Sequence, residues 1–187
     1  MIDQKQLIKD CQKGNVLAQR QLYDHYADQM MGVCYRYTKS FEDAEDVLQE
    51  GFIRVFTNLH QYRGEGELGA WIRRIMVHTS INYLKKNAHY RNDMVFTEPS
   101  LHPVMNETPD IMVHAKELAD LIRQLPTGYQ TVFNLYAVEG FTHVEIGKIL
   151  GISENTSRSQ YMRARNLLTQ WLEKIDEDNK KSEKYAR

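Results

Sequence analysis

Two runs of like charge stand out in this sequence. From Phe41 to Glu50 there are five acidic residues (Glu42, Asp43, Glu45, Asp46 and Glu50) and no basic one; from Trp71 to Arg91 there are five basic residues (Arg73, Arg74, Lys85, Lys86 and Arg91) and no acidic one. The basic residues are interleaved with Trp71, His78, Asn82 and Tyr83. Such side chains contact phosphates, stack on bases and hydrogen-bond base edges, which suits a single strand or a duplex being opened. In the acidic run Asp46, Gln49 and Glu50 are spaced i, i+3, i+4. They share one helix face, placed for charge-assisted hydrogen bonds to arginines of a partner. A plainer account is that the two runs pair with each other and leave solvated faces. No motif for catalysis accompanies them: there is no P-loop, no metal-ligand spacing around His78, and the acids are helix-face acids rather than a paired set.

The elements that must carry these residues are helices. The 187 residues are 42% hydrophobic and 26% charged, with only ten glycines and four prolines. That is globular composition, too poor in turn residues for β architectures, and the expected class is all-α. The net charge of −1 says nothing about a polyanionic partner, because the signal lies in its distribution. Cys11 and Cys34 are too few for a disulfide framework, so they read as small core residues of a protein in a reducing compartment. No apolar signal region or membrane-length apolar stretch is present, and a cytoplasmic location is expected.

Two small helical domains joined by a flexible linker are expected. Residues 1–92 form a bundle, with one stripe through Leu22, Tyr26, Met30 and Val33 and a second through Val47, Leu48, Phe52, Val55, Phe56 and Leu59. Ser40 and Asp43 pair as the cap of the second helix, and after Gly64, Gly66 and Gly69 a third helix runs from about Leu68 to Asn87. Pro99, Pro103 and Pro109 mark a linker over 93–110. Residues 111–174 begin with a stripe through Ile111, Ala115, Leu118, Leu121, Ile122 and Leu125, and then a helix from Pro126 to Gly140. Next come a capping box of Thr142 and Glu145, a tight turn at Gly151, and a long helix capped by Ser153 that runs toward Trp171 and Leu172. This is a helix-turn-helix pattern. The charged tail, 175–187, is expected to fray.

At Asp43-Ala44-Glu45-Asp46-Val47-Leu48-Gln49-Glu50-Gly51-Phe52 and Gly69-Ala70-Trp71-Ile72-Arg73-Arg74-Ile75 the chain resembles region 2 of bacterial sigma factors, in particular the short extracytoplasmic function (ECF) group. Leu125-Pro126, Phe141-Thr142, Glu145 to Ser153 and Arg163-Ala164-Arg165 resemble that group's region 4. The resemblance implies an alternative sigma factor rather than an enzyme. Its partners would be core RNA polymerase, promoter DNA and an anti-sigma factor, with no cofactor, no metal and no membrane insertion of its own. A free-standing helix-turn-helix regulator is the alternative reading, disfavoured by an acidic helix that a repressor does not need.

Carried over residue by residue, the resemblance implies a polymerase-binding set of Asp43, Asp46, Gln49 and Glu50, with Phe52 and Phe56 as apolar anchors. For the minus-ten element it implies Tyr62, Arg63 and the loop after them, then Trp71, Arg73, Arg74, His78, Asn82 and Lys85. Trp71 matches a family tryptophan that is more often core than wedge in these short members. For the minus-thirty-five element it implies the start of the recognition helix: Ser153, Glu154, Asn155, Thr156, Arg158, Ser159 and Gln160. Arg158 would pair with guanine and Gln160 read adenine, while Arg163 and Arg165 contact phosphates. The family often has alanine where Gly147 stands, and glycine there should cost the helix about 1 kcal/mol.

Overall fold

The computed structural model describes residues 4–86 and 111–185, with side chains over 4–86 and 118–177; the expected linker, with its three prolines, and Arg91 lie outside the described residues. The chain divides into two units between Asn87 and Ala88. Every regular element among the described residues is helical, and none of these helices is long and apolar enough to cross a membrane.

The first unit packs α1 (Gln4–Gln12), α2 (Val16–Tyr35), α3 (Phe41–Asn58) and α4 (Leu68–Lys86). Local chemistry sets the boundaries. Gly14 adopts φ +78°, open to glycine at no steric cost, and Asn15 then caps α2 by accepting from the backbone N–H of Leu17 and Ala18 at 3.0 and 3.1 Å. Ser40 caps α3 by accepting from Asp43 N at 3.0 Å. α1 is the one element that the apolar spacing does not announce; it docks by burying Cys11 and through Gln12, whose side chain donates to Leu59 O at 3.0 Å.

The expected stripes form the core. Leu22, Met30, Val33, Val47, Val55, Ile72 and Ile81 are all buried. α3 and α4 approach closely at Gly51, where a Cβ would lie 2.2 Å from Met76 Sδ. The thiol of Cys34 is pushed up to about 12 by burial, so it stays a neutral core group.

The second unit holds α5 (Ile111–Gln124), α6 (Thr127–Phe133), α7 (His143–Leu150) and α8 (Glu154–Tyr185). Leu121, Ile122 and Leu125 close on Ala164, Leu168 and Trp171. Two expectations change. The helix from Pro126 ends in a π turn over Asn134–Val138, closed by Phe141 N donating to Leu135 O at 2.9 Å, with Gly140 at φ +76°. The tail does not separate from the recognition helix: α8 continues to Tyr185, since no glycine or proline interrupts the chain after Gly151.

Candidate docking face and nucleic-acid interfaces

On the acidic face of α3, Asp46 and Gln49 are exposed and Glu50 is half-buried. The stripe continues at i+7 from Asp46 to Ile53, an aliphatic side chain 66% exposed. The two phenylalanines face the other way, which corrects the expectation for them. Phe52 is 2% exposed, its ring centroid 4.6 Å from that of Tyr23, and half-buried Phe56 packs on it at 6.0 Å. The resemblance supplied the aromatics as anchors and did not supply Ile53, whose position one turn beyond Gln49 was the available signal.

Asp43 is also turned inward. It accepts a hydrogen bond from Tyr83 Oη of α4, and this bond and that from Ser40 hold its carboxyl below the usual carboxylate range. Asp43 therefore fastens α3 to α4 and leaves the outer face to its neighbours.

On α4, Trp71, Arg74, His78, Asn82 and Lys85 recur at three- and four-residue steps and share a face. Arg73 points the other way. Arg74 lines an open cavity of about 260 Å³ with Trp71 and His78 of α4 and Arg54 and Asn58 of α3. Arg73 lines a second cavity, of about 460 Å³, with Tyr26 and Gln29 of α2, Gly66 and Glu67 of the preceding loop and the first residues of α4. Two adjacent arginines of one motif thus serve two different recesses. Arg54, Asn58 and Tyr26 are functional candidates that the charge pattern of α4 alone does not show.

Burial first, and then Arg74 and Lys85, push His78 below the ordinary histidine value. At neutral pH it is an uncharged imidazole, able to donate at one nitrogen and accept at the other. The loop before α4 is held in shape by Tyr62, which donates to Gly66 O at 2.8 Å while its ring lies 5.6 Å from Trp71. Positive φ at Gly64 and Gly66 permits this turn, leaving Arg63 exposed at its tip.

The helix-turn-helix is built as its caps dictate. Glu145 N donates to Thr142 Oγ1 at 3.3 Å and Thr142 N to Glu145 Oε2 at 2.8 Å, completing the capping box. Gly151, at φ +73°, turns the chain, and Ile152 N closes on Gly147 O at 3.0 Å. A Cβ on Gly147 would lie 2.8 Å from Ile152 O, so the glycine permits the tight turn rather than merely weakening the helix. His143, at the head of α7, is buried. Its Nδ1 lies 2.9 Å from Ser157 Oγ of α8, and its ring stacks on Tyr136 at 4.2 Å. This contact sets α7 against α8, and burial, then Arg158, lowers the histidine pKa.

Ser153 caps α8 by accepting from Thr156 N at 3.0 Å. Asn155, Arg158 and Ser159 are exposed on one side of α8, and Met162 continues that side. Arg158 pairs with Glu154 of the preceding turn, its Nη2 and Nε lying 2.6 and 3.0 Å from Glu154 Oε1. Thr156 is half-buried, its backbone serving the cap. Gln160 is corrected: at 4% exposure it points into the unit's interior with Ser157 and Ala164, and it does not reach a groove. Arg163 and Arg165 are exposed further along, Arg163 lying 3.4 Å from Tyr129 Oη.

Comparison with known proteins converges on these two units. The Sigma-70 region 2 family matches residues 22–90, and the Sigma-70, region 4 family matches residues 115–168. The chain is 30% identical over 173 residues to the ECF RNA polymerase sigma-E factor of Haemophilus influenzae, covering 87% of this chain and 91% of that protein. It is 29% identical over 179 residues to the ECF RNA polymerase sigma factor SigW of Bacillus subtilis, covering 90% and 96%. Among solved structures, the sigma factor RpoE of Bartonella quintana, in complex with the anti-sigma factor NepR, superposes with a TM-score of 0.50 at 19% identity, covering 82% of this chain and 96% of that one. That last likeness concerns the fold.

Proposed function

The chain belongs to the sigma-70 family of RNA polymerase sigma factors, in its ECF group, and from this premise we propose how its two units divide the work. The chain is an alternative sigma factor, which joins core RNA polymerase and supports initiation at promoters. Within that activity we assign Asp46, Gln49, Glu50 and Ile53 to the polymerase. Three polar side chains lead along the face to one exposed aliphatic one, a pattern that sets charge-assisted hydrogen bonds beside an apolar contact. Trp71, Arg74, His78, Asn82 and Lys85 meet the minus-ten strand, with Arg73 serving the recess beside the loop. Extruding a base costs a few kcal/mol of stacking, and an indole face and hydrogen-bonding groups in one groove offset it. Asn155, Arg158, Ser159 and Met162 face the minus-thirty-five element, and Arg163 and Arg165 position the helix on phosphates.

The observation that carries this reading lies within the first unit. An acidic face ending in an exposed aliphatic side chain and a basic, aromatic face are set on two adjacent helices of one small bundle. The protein acts by binding and carries out no catalysis, works in the cytoplasm where the polymerase is, and is held inactive by an anti-sigma factor that covers these faces. In vitro transcription with purified core polymerase on a promoter library tests the assignment. The expected result is a set of start sites dependent on this protein. Failure to bind core and to yield any start site overturns it, and full core affinity in a D46K/E50K double variant removes the polymerase face.

A further inference from the structure

The acidic helix α3 contains one basic residue, Arg54. It does not lie with the docking stripe. It lines the cavity whose other wall is Trp71, Arg74 and His78, so α3 adds a second arginine beside the basic face of α4. Its recorded tie is to Glu50 of the same helix, Nη2 to Oε1 at 2.6 Å, and Lys86 Nζ lies 3.9 Å from that same oxygen. A partly exposed i,i+4 pair contributes only about 0.3–0.5 kcal/mol, too little to explain a lone cation on an otherwise acidic helix.

The cavity's composition indicates what the arginine meets. Two arginines, a tryptophan and a histidine line it together with Asn58, Ile75 and Thr79, and no aspartate or glutamate does. At about 260 Å³ and open to solvent, it is smaller than the roughly 300–1,000 Å³ of enclosed small-molecule sites. Its lining suits one nucleotide of a strand passing over it. An indole stacks on a base, and a guanidinium fork takes a phosphodiester at two points. Asn58 is committed to shaping the wall, since its Nδ2 donates to Arg54 O at 2.8 Å and its Oδ1 accepts from Gln61 at 3.0 Å.

We propose that Arg54 is a DNA-contacting residue that binds a backbone phosphate of the nontemplate single strand, with Glu50 tethering one end of its guanidinium at the edge of the groove. The proposal rests on the assignment of the α4 face to the minus-ten strand. Arg54 thereby sits where the polymerase stripe and the DNA groove meet, sharing Glu50 with the former and its cavity with the latter.

The test uses the full chain bound to core polymerase, at polymerase concentrations that saturate every variant, so that altered core affinity does not enter. The probe is a fluorescent single-stranded oligodeoxynucleotide carrying the melted segment of a promoter found in the library. Anisotropy is read across a salt series for the wild type, R54Q, R54K and R74Q. Loss of one phosphate contact reduces the salt slope of log affinity by about 0.7, so R54Q should show that reduction and about a three- to ten-fold weaker affinity, with R54K restoring the slope. If R74Q weakens binding and R54Q changes neither slope nor affinity, Arg54 is only an intrahelical ion-pair partner and the proposal is overturned. If neither variant differs from the wild type, the assignment of the groove itself fails.

Discussion

Tyr83 Oη of α4 donates to Asp43 Oδ1 of α3 at 2.5 Å, joining residues 40 positions apart and removing one acid from the exposed charge of the docking helix. Hydrogen bonds to a charged group contribute more than neutral ones, and this pair is only partly buried, so Tyr83→Phe should cost about 1–2 kcal/mol at pH 7. The pH dependence has a definite sign. Asp43's carboxyl titrates below its ordinary value in the folded state, so its contribution is fully present above about pH 4 and is lost as pH falls through the lowered value. Urea unfolding of the wild type and Y83F at pH 7 and at acid pH should show the stability gap narrowing in acid. An equal gap at both pH values would mean that the tyrosine acts through packing alone.

Phe52 and Ile53 are neighbours in sequence with opposite surroundings, the one enclosed by Tyr23 and Phe56 and the other open to solvent. Phe52→Ala should destabilise the first unit by about 3–5 kcal/mol, as truncation of a buried aromatic does. Ile53→Glu should leave the thermal transition near that of the wild type and weaken core polymerase binding at least about ten-fold, a loss of about 1.4 kcal/mol. Calorimetry and a core-binding titration on the same two variants separate the effects; a folded I53E protein with full core affinity would remove Ile53 from the interface.

Gly147 reverses the expectation drawn from helix propensity. Alanine would relieve about 1 kcal/mol of backbone cost, but its Cβ would sit 2.8 Å from the Ile152 carbonyl oxygen, a backbone atom that moves only if the turn opens. Overpacking of this kind costs about 1–3 kcal/mol, so G147A should be a net loss in thermal stability and should reduce affinity for minus-thirty-five duplex. A G147A protein more stable than the wild type, with unchanged duplex affinity, would show that the turn relaxes freely.

Glu154 holds Arg158 through two contacts to one carboxylate oxygen, and both lie at the start of the recognition helix. A tethered guanidinium meets a base edge in one orientation, and a free one meets phosphates and bases in many. Glu154→Ala should therefore raise affinity for nonspecific duplex by removing a negative charge, while lowering discrimination at the base pair that Arg158 contacts by about 1 kcal/mol or more. Competition binding against single-base variants of the minus-thirty-five element reads both at once. Unchanged discrimination would make the ion pair a surface contact only.

Much of this protein was legible in its sequence because the signals are local. Ser40, Thr142 and Ser153 cap helices through hydrogen bonds spanning three residues, and Gly151 turns the chain by its own φ. The apolar stripes at helical spacing, and the segregation of acid on one helix and base on another, needed no tertiary information either.

What the sequence could not settle is which way individual side chains face and what they meet across a helix boundary. Phe52 against Ile53, Arg73 against Arg74, and Gln160 against Ser159 are adjacent pairs that composition treats alike. One residue is about 100° of helix, enough to move a side chain from core to surface, and only the packed partners fix the rotation of the helix. Asp43 with Tyr83, Arg54 with Trp71 and Arg74, and His143 with Ser157 are decided in the same way, by helices that meet only in the folded state. The sequence by itself determined the long helices, the caps at Ser40, Thr142 and Ser153, and the sign of each charged run. Tertiary packing decided which of those residues remain available to a partner.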